Sequence, residues 1–391
     1  MKIIADKNMP LLTETFGRHG ELQRLDGRNI SKADLGDAEA LLVRSVTRVD
    51  KKLLKGSKIR FVGSATIGMD HLDTSWLEAN DITWAHAPGC NADAAAQYAL
   101  ALMWLACDRL NWDFRQQSVG IIGRGNVGSR LESLLKVLDI PTKACDPPLQ
   151  DNGELQLVPM QEACNNSIVS LHLPLTINGK YPTRNLFNST SIKTLRPHTL
   201  LVNTSRGGVI EKKCLLEQLA SKNLNAALDV WPDEPYIGQD LLSLVSAATP
   251  HVAGYSREGK QAGTEMIYRA FCKSFSLELP VGTASASRNI TLKFPPAKGT
   301  TELVRQCIRA SSQVTRDDKA LHALSVAEPA CERVHIDSLR TAYPERYEFK
   351  SHVVDGVSAP DARLLNQLGF KTTRKHASAL FSHDQALPIA D

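Results

Sequence analysis

The chain has 391 residues, enough for two or three domains with separate cores, and 42% of them are hydrophobic against 23% charged, the balance of an ordinary globular protein. A formal net charge of only +4, without any Lys/Arg block, removes the electrostatic footprint that nucleic-acid binding needs. No apolar run approaches the roughly 20 residues of a membrane span, and the eight cysteines form no C-x-x-C pair, so we expect neither a metal site nor a disulfide framework, but reduced thiols in a cytoplasmic protein.

The N-terminus, Met1-Lys2-Ile3-Ile4-Ala5-Asp6-Lys7, meets charge too soon for a signal peptide. Residues 1 to 90 then alternate short apolar runs with helical patterns. Lys2-Ile3-Ile4-Ala5, Ala40-Leu41-Leu42-Val43, Arg60-Phe61-Val62-Gly63 and Ile82-Thr83-Trp84-Ala85 read as strands separated by polar or glycine-containing turns. Strands spaced by helices make parallel βαβ units, whose ligands sit beyond the carboxyl ends of the strands. Those ends carry Arg44-Ser45, Ser64 to Gly68, and Pro88 to Asn91. An arginine and hydroxyls at the first two, Arg44, Ser45 and Thr66, suit charge-assisted bonds to phosphate oxygens.

Asn91 is placed to cap a helix running through Ala92 to about Arg109, which carries the chain into a second unit. There Ser118-Val119-Gly120-Ile121-Ile122 enters Gly123-Arg124-Gly125-Asn126-Val127-Gly128, and Leu131, Leu134, Leu135 and Leu138 leave it at helical spacing. In G-x-G-x-x-G, Gly123 lets the chain turn, Gly125 admits a pyrophosphate, and Gly128 lets helix pack on strand. The N–H groups opening the helix, from Asn126 and Val127 onward, face the anion. Thr142-Lys143-Ala144-Cys145 reads as the next strand and ends on Asp146, about 20 residues beyond the glycines. Its carboxylate would accept from a ribose 2′-hydroxyl and repel a 2′-phosphate, so the expected cofactor is NAD rather than NADP.

Further strands are read at Ile168 to His172, Thr199 to Asn203, Asn225 to Asp229 and Ala247 to Pro250. The last three deliver Thr204-Ser205-Arg206, Asp229 to Pro235 and His251 to Tyr255. Oxidising a C–OH beside a carboxylate needs a base for the hydroxyl proton, which histidine suits, and a carboxylate neighbour to orient the imidazole. It also needs a fork to grip the substrate carboxylate, which arginine supplies. We assign His251 as base, Glu234 as its partner and Arg206 as clamp. One such residue at a strand end is commonplace, whereas three on successive strand ends of a nucleotide unit point to a site.

A helical pattern from about Glu258 returns the chain to the first unit. After Pro280 a Ser/Ala/Thr-rich stretch reads as a linker, and Ile290-Thr291-Leu292, Val304, Ile308 and Val353-Val354 make the following segment too apolar for a disordered tail. A helix is expected from Asp361 to Gly369.

The motifs Gly-Arg-Gly-Asn-Val-Gly, Asn-Thr-Ser-Arg-Gly-Gly-Val-Ile, Asp-Val-Trp-Pro-Asp-Glu-Pro and Thr-Pro-His-Val-Ala-Gly resemble those of the D-isomer-specific 2-hydroxyacid dehydrogenases. Val43 to Thr47, Ala65 to His71, Ala87 to Ala92, Cys145 to Pro148 and the extra C-terminal segment are most similar to members whose hydroxy acid carries a phosphate. The resemblance implies NAD-dependent oxidation of a small phosphorylated hydroxy acid, with Arg206, Glu234 and His251 catalytic. It implies that Ser45, Thr66 and Tyr255 contact substrate, and that Asp146, Asp229, Gly254 and the turn Thr204-Ser205-Arg206 contact NAD. Leu173 departs from the pattern, standing where similar chains carry threonine, at the cost of one hydrogen bond to the cofactor. Two other readings stay open: a dehydrogenase of another D-2-hydroxy acid such as phosphoglycerate, and a non-catalytic NAD sensor.

The expected fold is α/β: two Rossmann-like or flavodoxin-like doubly wound parallel-sheet domains plus a smaller α+β C-terminal domain. The expected division is a discontinuous substrate domain (1–93 and 256–285), an NAD domain (94–255), a C-terminal domain (286–380) and a tail (381–391). The C-terminal domain is expected to bury its apolar surface in a two-fold homodimer, with a regulatory ligand module as the alternative.

Overall fold

The computed structural model describes residues 1–279, 288–295, 297–327 and 332–374; the expected linker after Pro280 and the tail 381–391 lie outside the described residues. The first sheet holds β1 (Lys2–Asp6), β2 (Glu21–Leu25), β3 (Ala40–Val43), β4 (Phe61–Ser64) and β5 (Thr83–Ala85), in the order β2-β1-β3-β4-β5 and parallel throughout. β3 and β4 are buried along their whole length, because helices cover both faces of a parallel sheet and leave no place for polar side chains. β2 escaped the sequence reading because Glu21-Leu22-Gln23-Arg24-Leu25 is an edge strand with only half its surface covered, so its composition is polar.

The second sheet holds β6 (Val119–Ile122), β7 (Thr142–Cys145), β8 (Ile168–Leu171), β9 (Leu200–Asn203), β10 (Asn225–Leu228) and, after the short outlying β11 (Tyr236–Gly238), β12 (Ala247–Ala248). Its order is β12-β10-β9-β8-β6-β7, again parallel. Both sheets therefore reverse strand order once, between β1 and β3 and between β6 and β8. Ligands of doubly wound sheets bind in the crevice at such reversals, beyond the carboxyl ends of the strands.

The helix Ala92–Arg109 is buried almost all round, which its alanines permit, and packs against the helix Asn126–Val137 that leaves the glycine turn. Asn91 stands at its start without donating or accepting as a cap; its amide lies instead against Gly254, where any Cβ would collide with it. The helix Arg257–Ser274 returns to β4 and β5 and sets Phe271 edge-on to Phe16 (5.1 Å) and Phe61 (5.6 Å). Such aromatic pairs contribute about 0.5–1.5 kcal/mol beyond burial.

The C-terminal segment contains β13 (Ile290–Leu292), β14 (Arg333–His335), β15 (His352–Val357) and β16 (Lys371–Arg374). β13, β15 and β16 form a small parallel sheet, while β14 pairs antiparallel with β11. The predicted helix near Asp361 spans Ala359–Gln367, with Gly369 just beyond it at φ 99°. Val304 and Ile308 lie on the helix Thr300–Ser312 and, with Cys307, pack into the same core as Leu100, Leu131 and Val252. Those side chains are thus covered by the chain's own second unit, not left for a twin. The following helix, Val314–Ala327, reaches β12: Asp318 pairs with Arg109 and accepts from the Ala248 amide at 2.9 Å.

Candidate active site

The glycine turn shows why each glycine is there. Gly123 has φ 92°, and a Cβ on it would meet the His172 carbonyl oxygen at 2.5 Å. A Cβ on Gly128 would run into the Gly123 carbonyl. Gly125 faces open space, with nothing within 4 Å of a Cβ, and it precedes a helix whose first N–H groups have no side-chain cap. Asn126 turns its amide toward Gly89 of the first unit, and Val127 packs on the core beneath.

Asp146 caps the next short helix: Oδ1 accepts from the Leu149 amide at 3.1 Å and Oδ2 from the Arg124 amide at 2.8 Å. One protein bond per oxygen leaves acceptor capacity on both. The Thr204-Ser205-Arg206 turn is held by Asn203, fully buried, whose Oδ1 accepts from the Ser205 amide (3.0 Å) and hydroxyl (2.8 Å) while its amide donates to the Arg206 carbonyl (2.9 Å). The Thr204 hydroxyl is buried without a partner. An open glycine cradle, a spare carboxylate and an orphaned hydroxyl at the crevice suit a dinucleotide. Leu173 lies over the turn, its Cδ2 3.0 Å from a Cβ on Gly123, and offers no polar atom.

Asp229 is wholly buried, where Oδ1 accepts from the Thr249 hydroxyl (2.7 Å) and Val252 amide (3.0 Å) and Oδ2 from the Ala253 amide (2.9 Å). Burial pushes its carboxyl up despite these donors and the charge of His251. These bonds shape the loop that carries His251. His251 itself sits at φ 57°, a left-handed conformation that costs a non-glycine residue about 1–2 kcal/mol and is kept where the surroundings impose it.

His251 Nδ1 lies 2.5 Å from Glu234 Oε2, and Glu234 Oε1 accepts from the Trp231 amide at 2.8 Å. Burial alone would raise the Glu234 carboxyl; the His251 bond and charge and the Trp231 amide outweigh it and hold the group below its ordinary value. A carboxylate acceptor fixes the proton on Nδ1 and leaves Nε2 free to exchange one. Arg206 reaches from the second unit toward the first: its Nε is 3.3 Å from Asp70, and it fills the space that a side chain on Gly68 would need. The Arg206 turn also abuts the Trp231 turn, since a Cβ on Gly207 would strike the Trp231 carbonyl. The structure thus brings the ends of β9, β10 and β12 together.

On the first sheet Ser45 is exposed, and the Thr66 hydroxyl bonds Ser64 (2.8 Å) and the Gly68 carbonyl (3.1 Å). Arg44, expected to bond phosphate, already has a carboxylate partner. Its guanidinium grips the fully buried Asp6 at 2.9 and 3.4 Å, so most of its charge is matched within the fold.

Sequence reasoning missed a set of residues from the C-terminal segment. Arg346, 1% exposed, donates to the carbonyls of Tyr255 (3.0 Å), Val252 (3.3 Å) and Ala253 (2.5 Å) and lies over the Tyr98 ring. Tyr343 meets Tyr255 edge-on at 5.6 Å. Arg340, its Nε buried without a partner, interacts with Tyr255 and feels the charge of Glu234. No local pattern marks these side chains, because their partners lie some 90 residues earlier in the chain.

Residues 91–253 match the family model described as the D-isomer specific 2-hydroxyacid dehydrogenase, NAD binding domain. Over its length the chain is similar to the erythronate-4-phosphate dehydrogenase of Marinobacter nauticus, 41% identical over 95% of this chain and 99% of that one. It is 39% identical to that of Hahella chejuensis, over 96% and 100%. Among solved structures, NAD+-bound 3-phosphoglycerate dehydrogenase of Entamoeba histolytica shares the fold at 22% identity and a TM-score of 0.62, covering 71% of this chain and 95% of that one.

Proposed function

The chain belongs to the erythronate-4-phosphate dehydrogenases, within the D-isomer specific 2-hydroxyacid dehydrogenases, and we infer from this premise that it oxidises 4-phospho-D-erythronate to (R)-3-hydroxy-2-oxo-4-phosphooxybutanoate with NAD, a step toward pyridoxal 5′-phosphate. The observation that carries the chemistry is the 2.5 Å contact between His251 and Glu234 beside the glycine cradle.

Gly123, Gly125, Asn126, Val127 and Gly128 hold the pyrophosphate, Asp146 the ribose, and Thr204, Ser205, Asp229 and Gly254 the nicotinamide end. When bound there, NAD supplies the hydride acceptor. Arg206 grips the substrate carboxylate and polarises the forming carbonyl. His251 Nε2 takes the hydroxyl proton, and Glu234, ionised and fixed by Trp231, stabilises the imidazolium that results. Ser45, Thr66 and Tyr255 line the rest of the substrate, with Arg44 bracing the loop through Asp6.

The domains we assign are 1–93 with 256–285, 94–255 and 286–380, supported by the packing of the return helix on β4 and β5. We place the protein in the cytoplasm; among the described residues no helix is long and apolar enough to cross a membrane, and seven cysteines are free. A homodimer through the C-terminal segment is supported by the β13-β15-β16 sheet, whose outer strands β13 and β16 each pair on one side alone among the described residues, and light scattering of the full chain tests it.

The reaction is tested by following NADH formation at 340 nm with NAD and 4-phospho-D-erythronate or 3-phospho-D-glycerate. The expected result is turnover with a large preference for the former. Preference for phosphoglycerate assigns a different substrate, and turnover with neither, alongside tight NADH binding, assigns a sensor.

A further inference from the structure

A cavity of about 450 Å³ opens at the carboxyl end of β1, where the first sheet reverses strand order. Its walls are the loop Lys7 to Leu11, the first turns of the helix Arg257–Ser274, and Tyr343 to Arg346 from the C-terminal segment. The cations on these walls differ in what already neutralises them. Lys7 pairs with Asp26 at 2.9 Å, Arg257 with Glu345 at 3.4 Å, and Arg346 spends its donors on loop carbonyls. Lys260 has no carboxylate within ion-pair distance among the described residues; its ammonium stands 5.2 Å from the centre of the Tyr255 ring. Arg44 and Arg346 lie close enough to disfavour its charge, and burial and these two cations together lower its pKa while Glu345 opposes them only in part.

An unmatched ammonium among guanidinium groups, in a cavity at a strand reversal, calls for an anion. The proposed substrate has two anionic ends. Arg206 takes the carboxylate, and Arg44 is already matched by Asp6, which leaves the phosphate without a dedicated cation on the first sheet. Tyr255 links the two places: its loop carries His251, its ring faces Lys260, and the C-terminal Tyr343 backs it.

We propose that this cavity seats the phosphate of the substrate, with Lys260 as its principal charge and the C-terminal segment as its outer wall. The inference rests on the dehydrogenase reading above. A phosphate carries about 1.5 to 2 negative charges at neutral pH, and a charge-assisted bond to an ammonium distinguishes it from a hydroxyl by roughly ten- to a hundredfold in binding. Lys260 would thereby set the preference for a phosphorylated over an unphosphorylated hydroxy acid.

The test compares kcat/KM for 4-phospho-D-erythronate and D-erythronate in wild type, Lys260→Met and Lys260→Arg, with inorganic phosphate as a competitive inhibitor of each. Lys260→Met should lose about ten- to a hundredfold more on the phosphorylated acid than on the other and should weaken phosphate inhibition, while Lys260→Arg keeps most of both. Equal losses on the two acids, or unaltered phosphate inhibition, overturn the proposal. If Lys260→Met does not fold, Lys260→Gln carries the same comparison, and NADH fluorescence titration reports whether the cofactor site is intact. Wild-type turnover with neither acid would instead overturn the dehydrogenase reading.

Discussion

Arg206 and Arg346 come from two regions that build one site in different ways. Arg206 follows β9 directly and is part of a local signature; its guanidinium is partly exposed and held by a 3.3 Å contact with Asp70 and a 2.8 Å bond to the neighbouring Ser205 carbonyl. Arg346 comes from the C-terminal segment, is buried, and among the described residues donates only to main-chain carbonyls of the loop 252–255. One is available for substrate. The other is consumed in holding the loop beside His251. The contrast shows that a parallel αβ sheet presents chemistry at its strand ends, while the added segment fixes where those ends stand.

Breaking the second arrangement should cost most. Arg346→Met strips donors from three loop carbonyls, two of them in buried bonds, and removes a cation from the Tyr98 ring, so we expect about 3–5 kcal/mol loss of stability in urea unfolding. Unchanged stability would mean that the loop holds itself. Breaking the first should leave stability within about 0.5 kcal/mol, the usual range for an exposed substitution, but Arg206→Lys should lower kcat/KM by roughly 10²-fold, because a point charge cannot reproduce the fork. A destabilised but active Arg206→Lys would reverse the two roles.

These outcomes also bear on what could be read in advance. The glycine turn and the strand ends that carry Asp146 and the candidate trio were legible because each follows an apolar strand and its pattern is local in sequence. Asn203 was not, although it ties the Arg206 turn, because an asparagine ending a strand has many bland uses. Val304, Cys307 and Ile308 stand at i, i+3 and i+4, a helical signal that was present and passed over in favour of a twin's interface. Arg346 and Arg340 carried no signal, since their partners are distant in the chain.

A smaller effect tests the crevice between these regions. Burial holds His172 down to about 4, with Nε2 2.9 Å from the Ser170 hydroxyl and Nδ1 unpartnered. A histidine depressed in the fold takes up its proton more readily when unfolded, so its stabilisation is complete above its ordinary value of 6.5 and is lost as pH falls from there toward 4. We expect about 2 kcal/mol, below the full 1.36 kcal/mol per unit because the residue keeps some contact with solvent. Urea midpoints at pH 7 and pH 5 should differ less in His172→Gln than in wild type; equal differences would remove His172 from the acid response. Smallest of all, Asp146→Ser should shift the NAD-to-NADP ratio of kcat/KM by about tenfold toward NADP, by relieving repulsion of the 2′-phosphate. A wild-type enzyme indifferent between the two would contradict that placement.

The central claim is that His251, oriented by Glu234, moves the substrate proton. It is tested most directly by kcat/KM for 4-phospho-D-erythronate oxidation across pH 5 to 9 in wild type, His251→Ala and Glu234→Gln. The account predicts a rising limb in wild type, a loss of ~10²-fold or more with a flattened limb in His251→Ala, and a smaller loss of rate in Glu234→Gln, which keeps the side chain's shape but removes the carboxylate that orients the imidazole. A His251→Ala enzyme that kept both the rate and the limb would contradict it.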